Sequence, residues 1–310
     1  LFFRTKITRI CNELMNCVDP AQFDIVHAHT LYSDGAAALR LKKRFGIPYL
    51  VAVRNTDLNF FMRLRPDLRW LMHSVLLNAS RVVFLSPAYR EQFLSCLNRE
   101  LRTLTAEKSQ VIGNGLDAFW LEPPPAPKRD SAIPLRLLYV GDFSRNKNIQ
   151  TLLRAVDSVR TNMPVELTLA GGGGNGDAQI RRSLASGKYP FAKFVGRIDN
   201  RNELRGLYRA HEIFVMPSLT ETFGVVYLEA LSQNLPILHS QGQGVDGFFI
   251  RSRVSEAVDP LDPNDIARGI EHLYERLNEI RGACVDEASR FGWARIAKQY
   301  DELYRAVRRN

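Results

Sequence analysis

Four cysteines in 310 residues, Cys11, Cys17, Cys96 and Cys284, form no C-x-x-C pair and no metal-ligand spacing. Neither a disulfide framework nor a zinc module is expected, and the four read as reduced thiols of a cytoplasmic protein. No apolar run approaches the ~20 residues that a spanning helix needs. There is no Asp-x-Asp cluster to hold a divalent cation, no repeat of solenoid period, and no motif or aromatic platform of a nucleic-acid binder. Position 1 is Leu1 rather than Met, and the opening Leu1-Phe2-Phe3-Arg4-Thr5-Lys6 is too short for a secretory signal. The chain therefore reads as beginning inside a longer protein.

What remains is an ordinary globular mixture, 45% hydrophobic and 24% charged, at a length that favours two domains. The formal charge of +9 implies an anionic partner. Nucleic acid, an anionic membrane face and a sugar nucleotide all fit that charge, and composition does not choose among them.

Short apolar runs alternate with longer amphipathic stretches. After a helix-like opening over 5–18, strands are expected over 24–29, 48–53, 81–86 and 109–112. Helices are expected between them over 34–45, 65–78 and 89–97. This rhythm predicts βαβ units and a parallel sheet. The strand 24–29 looks like an interior one, so the first half is expected to lack its first strand and glycine loop. The cluster Glu122-Pro123-Pro124-Pro125-Ala126-Pro127-Lys128-Arg129-Asp130 suits an extended linker, since proline continues neither a helix nor a central strand. The expected division is 1–127, 128–290 and a closing helix, 291–310. In the second half, strands are expected over 135–140, 165–170, 191–195, 213–216 and 236–239. Helices are expected over 149–160, 225–232, 266–278 and 293–307.

Ligands of open α/β sheets sit beyond the carboxyl ends of the strands. One such end carries Pro217-Ser218-Leu219-Thr220-Glu221-Thr222-Phe223-Gly224-Val225-Val226-Tyr227-Leu228-Glu229-Ala230. A helix starting near Gly224 offers unpaired N–H groups and a positive dipole end to a diphosphate. Glu221 and Glu229 are placed to accept hydrogen bonds from hydroxyls on either side of it. A second end carries Tyr139-Val140-Gly141-Asp142-Phe143-Ser144-Arg145-Asn146-Lys147-Asn148.

These segments resemble the family 4 retaining glycosyltransferases. The resemblance implies the GT-B fold: two Rossmann-like domains facing a cleft, with a C-terminal helix crossing back to the N-terminal domain. It implies that Glu221 contacts the donor sugar and Glu229 the ribose, that Lys147 neutralises the diphosphate, and that Phe223, Gly224 and Val225 form the helix start around it. Asp142 stands where the family carries Arg, and Arg145 is the expected substitute. Phe194-Val195-Gly196-Arg197-Ile198 resembles the segment that meets the base. Gly141, the glycine run from Gly171 and the loop around Gly242 resemble donor-side turns. Val111-Ile112-Gly113-Asn114-Gly115-Leu116-Asp117 and Phe291-Gly292-Trp293 complete the match. In the first half, His29 and Asp57 are the candidate acceptor-side residues, while His73, His211 and His239 read as structural.

The resemblance implies transfer of a sugar from a UDP- or GDP-type donor with retention. It implies no cofactor and no metal, a glycan or lipid-linked acceptor, and a role in cell-surface polysaccharide synthesis. The basic stretch Arg40-Leu41-Lys42-Lys43-Arg44, with Arg54, Arg63, Arg65 and Arg69, suggests docking on an anionic inner leaflet. Two other readings stay open: a sugar-nucleotide epimerase or hydrolase of the same fold, and a non-catalytic nucleotide-sugar-binding subunit.

Overall fold

The computed structural model describes residues 2–124, 134–250 and 253–308. The chain divides into two compact units. One runs to Gly113 and resumes at Ile296; the other is Asn114–Arg295. The expected boundary at 127/128 lies outside the described residues, and the contacts divide the chain earlier, for a visible reason. The Leu116 N–H donates to the Phe291 carbonyl at 2.6 Å, and the Trp293 N–H donates to the Leu116 carbonyl at 3.2 Å. A Cβ on Gly115 would lie 2.2 Å from the Trp293 ring. The segment from Asn114 is thus strapped to the end of the second unit before the prolines begin, and the return to the first unit comes at Ile296 rather than at 291.

The first unit contains α1 (Phe2–Cys17), β1 (Val26–Ala28), α2 (Ser33–Phe45) and β2 (Tyr49–Val53). A π-helical turn, Asp57–Phe61, then leads into α3 (Met62–Leu64) and α4 (Arg69–Asn78). Next come β3 (Arg81–Phe84), α5 (Pro87–Ser95), α6 (Arg99–Glu107) and β4 (Ser109–Val111). The four strands are parallel in the order β1-β2-β3-β4, and among the described residues β1 has one neighbour, β2. Every residue of β2 is buried, as expected of a parallel strand covered on both faces. The helix expected over 65–78 is broken, because Pro66 opens a separate 3-10 turn before α4.

The second unit contains β5 (Leu135–Gly141), α7 (Ile149–Val159), β6 (Val165–Gly171), α8 (Asp177–Ala185) and β7 (Ala192–Gly196). It continues with α9 (Arg201–Arg209), β8 (Ile213–Met216), α10 (Val225–Ser232), β9 (Ile237–Ser240) and β10 (Ser255–Val258). It ends with α11 (Pro263–Glu275), α12 (Leu277–Ser289) and the start of α13 (Trp293–Val307). Its six parallel strands run β10-β9-β8-β5-β6-β7. Buried positions on α7, among them Leu152, Leu153, Val156 and Val159, recur at helical spacing and bury that face. From Ile296 on, α13 belongs to the first unit, where Ile296 and Leu303 join Leu50, Ala52, Val83 and Ile112 in one apolar cluster.

Candidate active site

The strand order of the second unit fixes where a ligand crevice opens. The chain leaves β5 towards β6 and β7, then returns to β8 on the other side of β5. This is a topological switch point, at which the loops beyond the carboxyl ends of the two strands diverge. The two loops are residues 142–148 after β5 and 217–224 after β8.

Asparagines tie these loops together. The Asn146 side-chain amide donates to the Thr220 carbonyl at 2.7 Å, and the Leu219 N–H donates to the Asn146 carbonyl at 2.8 Å. Asn148, left-handed at φ 58°, sends its amide to the carbonyls of Pro217 and Pro260. Asparagine tolerates that backbone better than most residues. The result brings together the two residues singled out from separate motifs: Lys147 Nζ lies 2.6 Å from Glu221 Oε2, with side chains only 16% and 13% exposed.

A third loop, 241–247 after β9, closes over Glu221. Its backbone N–H donates to Gln243 Oε1 at 3.1 Å, and the Gly244 N–H donates to the Glu221 carbonyl at 2.8 Å. A Cβ on Gly244 would come within 3.0 Å of Glu221 Cγ. Gly242, at φ 72°, donates its N–H to the Asp246 carboxylate.

Helix α10 starts against the same loops. Gly224 precedes it at φ 77° with no side-chain cap, and a Cβ there would fall 2.5 Å from the Tyr227 ring. The first turn from Val225 therefore points uncapped N–H groups at whatever sits before it. Glu229 follows about one turn along and accepts a hydrogen bond from the Tyr208 hydroxyl at 3.0 Å. Burial pushes the Glu229 carboxyl above the usual range, and the Tyr208 contact works against that. Tyr208 is fully buried, edge-on to Trp120.

Other candidates fall elsewhere. Phe223 is 1% exposed and packs against Phe248 and Phe291, so its ring supports the loop from within the core instead of facing a ligand. Arg197 is 81% exposed and pairs with Asp199. Arg145 is exposed, and its guanidinium has no partner among the described residues. Asp142, in the position of the missing Arg, accepts the Ser144 N–H at 2.7 Å and braces its own loop. Gly171 pairs with Gly141 across β5 and β6, and a Cβ on it would lie 1.8 Å from the Gly141 carbonyl oxygen. Strand crossing alone demands glycine there.

In the first unit, Asp57 corrects the expectation of an acceptor-side carboxylate. It is 1% exposed, and its oxygens accept the N–H groups of Leu31, Tyr32 and Arg54 at 3.0, 3.3 and 2.9 Å. It joins the loops after β1 and β2, and its burial keeps it from an acceptor. His29 is exposed and stacks on His27 at 4.1 Å. His27 bonds the Tyr304 hydroxyl at 2.8 Å, and burial brings its pKa down to about 4.

Sequence reading missed Tyr208, Gln243 and Asn146. Tyr208 follows Leu204 and Leu207 at helical spacing and so reads as a core residue of its helix rather than as a site residue. The two amides act through the turns they bridge, which only the folded loops reveal. Among the described residues no three His, Cys, Asp or Glu gather as a metal site, and no helix is long and apolar enough to cross a membrane.

Residues 134–276 match the model for glycosyl transferases group 1, and residues 2–118 match that for glycosyltransferase family 4. A D-inositol 3-phosphate glycosyltransferase of Corynebacterium kroppenstedtii is 26% identical over 320 residues, covering 94% of this chain and 69% of that protein. Sucrose-phosphate synthase from Thermosynechococcus elongatus superposes with a TM-score of 0.72 at 24% identity, covering 98% of this chain and 78% of the other. Anabaena HepE in complex with UDP gives 0.73 at 17%, covering 97% and 82%. The two structural matches speak for the fold.

Proposed function

This chain belongs to the group 1, family 4-like glycosyltransferases of the GT-B fold, and from that premise we propose that its second unit binds a nucleotide-diphosphate sugar and passes the sugar, with retention and without a metal, to a glycan or lipid-linked acceptor. The observation that carries this reading is the Lys147–Glu221 pair at the switch point, facing the uncapped start of α10, with Glu229 further along that helix. The HepE complex, a relative in fold, holds UDP, and a nucleoside diphosphate suits a lysine beside a helix N-terminus.

In this reading Lys147 is the cation for the leaving diphosphate. Without donor it is neutralised by Glu221; with donor it turns to the phosphate and releases Glu221 to accept sugar hydroxyls. Negative charge grows on the diphosphate as the glycosidic bond breaks, so Lys147, the α10 start and the free guanidinium of Arg145 act most strongly in the transition state. Glu229 accepts from the ribose. Cell-surface polysaccharide synthesis is the setting we assign.

Nucleotide release, measured across donors with and without candidate acceptors, tests the reading. Release that requires an acceptor supports transfer. Release without one points to hydrolysis, and tight binding with no release points to a binding subunit.

A pH dependence follows for Glu229. The ionised carboxylate is the stronger acceptor for both ribose and Tyr208 hydroxyls. Its pKa is raised by burial, so nucleotide affinity is full above that pKa and falls as pH drops through it. Tyr208→Phe removes a contact that holds the pKa down. The acid limb of affinity against pH should therefore move to higher pH, with affinity in the alkaline range nearly preserved. Superimposable profiles in calorimetric titrations would remove Glu229 from the site.

A further inference from the structure

A cavity of about 510 Å³ lies in the first unit, between the turn after β2 and helices α4, α5 and α6. That volume is within the range of small-molecule pockets, roughly 300–1,000 Å³. Its apolar wall is Leu58, Met72, Leu97 and Leu101, each buried by the surrounding helices. Arg63, Arg69 and His73 also line it, and no carboxylate does. His73, expected to be structural, is exposed here.

Several basic residues elsewhere in the same unit are engaged by neighbours. Arg65 is taken by Asp67, Arg54 by the His29 carbonyl, Arg40 by Thr8, and Lys42 by the Asn78 carbonyl. Arg63 and Arg69 have no hydrogen bond or ion pair among the described residues. A second observation concerns the wall of the same cavity. Tyr32, on the cavity wall and 0% exposed, has a hydroxyl without a hydrogen-bond partner, although a buried hydroxyl ordinarily finds one. Burial, with Asp57 adding to it, pushes its pKa up to about 12, so the proton stays available for donation. Exposed Phe60 and Leu64 flank Arg63 along the chain and extend the apolar character outward.

An apolar floor, two unpaired guanidiniums and a buried, unused hydroxyl donor ask for a ligand with a matching division. We propose that this cavity binds an amphiphile with an apolar chain and a phosphate-type anionic head. The chain lies on Leu58, Met72, Leu97 and Leu101, and the head meets Arg63, Arg69 and the Tyr32 hydroxyl. A membrane lipid and a free alkyl phosphate share this chemistry. The inference stands apart from the donor chemistry of the second unit.

The full chain is titrated with dodecyl phosphate below its micelle concentration, and in parallel with dodecyl maltoside and inorganic phosphate. Saturable binding of dodecyl phosphate is expected, about tenfold or more tighter than either comparison ligand. Arg63→Gln with Arg69→Gln should weaken it about tenfold or more, and Tyr32→Phe by severalfold, at unchanged thermal midpoint. Location is read by alkylation: dodecyl phosphate should slow modification of Cys96, which lines the cavity, and leave the exposed Cys17 as it was. Sedimentation with phosphatidate-containing vesicles identifies the source. Arginine-dependent vesicle binding makes the ligand a membrane lipid; dodecyl phosphate binding without vesicle binding makes it a free amphiphile. Equal affinity for dodecyl maltoside, undiminished binding by the arginine variant, or an unprotected Cys96 overturns the proposal.

Discussion

Lys147→Ala is expected to lower kcat by about 10²–10³-fold, the usual loss when one preorganised electrostatic donor to a developing anion is removed. KM for the donor should move less. The expectation rests on position. Nζ sits at the switch point, 2.6 Å from Glu221, in a loop anchored by Asn146 and Asn148, so little reorganisation is needed when the diphosphate replaces the carboxylate. A lysine on a free surface loop would lack that advantage. Initial rates of nucleotide release at saturating donor and acceptor decide the matter. Turnover within twofold of wild type would transfer the role to Arg145, whose guanidinium is free nearby in the chain.

The second large effect is on stability. Gly171→Ala should destabilise the second unit by roughly 2–6 kcal/mol, combining a strained positive φ with overpacking. The added Cβ would lie 1.8 Å from the Gly141 carbonyl oxygen at φ 128°, between two paired strands that cannot part without loosening the sheet. For a unit of this size the thermal midpoint should fall by at least about 4 °C. Gly173→Ala is the control. It also has a positive φ, at 79°, yet nothing lies within 4 Å of its Cβ, so only the backbone term applies, about 1–2 kcal/mol. If the two variants melt together, the close approach of β5 and β6 does not limit stability. The comparison also bears on the glycine run: its first member is required by strand packing, whatever a ligand adds.

Much of this was legible in the sequence because the informative residues lie at strand ends. Buried parallel strands such as β2 and β8 are continuous apolar runs, and strand order brings charged residues of the loops after β5 and β8 to one place. Lys147 and Glu221 were therefore named from separate motifs, and the fold joined them. Residues whose roles depend on neighbours were not legible. Asp57 looked like an acceptor-side carboxylate, yet it is buried and holds three backbone N–H groups. Phe223 sat within the best motif, yet its ring is in the core. β10 went unseen because it is a short edge strand with one buried residue, Val258. The proline run drew the boundary too late, since composition marks where a chain is extended and says nothing about the earlier strap at Leu116.

The central claim is that Lys147 binds the donor diphosphate, and comparison of nucleoside diphosphate with monophosphate tests it most directly. After a screen has fixed the base, calorimetric affinities of the two nucleotides are measured for wild type and for Lys147→Ala. Wild type should prefer the diphosphate by about tenfold or more, as expected of one charge-assisted contact. In Lys147→Ala that preference should largely vanish while monophosphate affinity changes little. An undiminished preference in the variant would contradict the account, because the terminal phosphate would then be held by something other than Lys147.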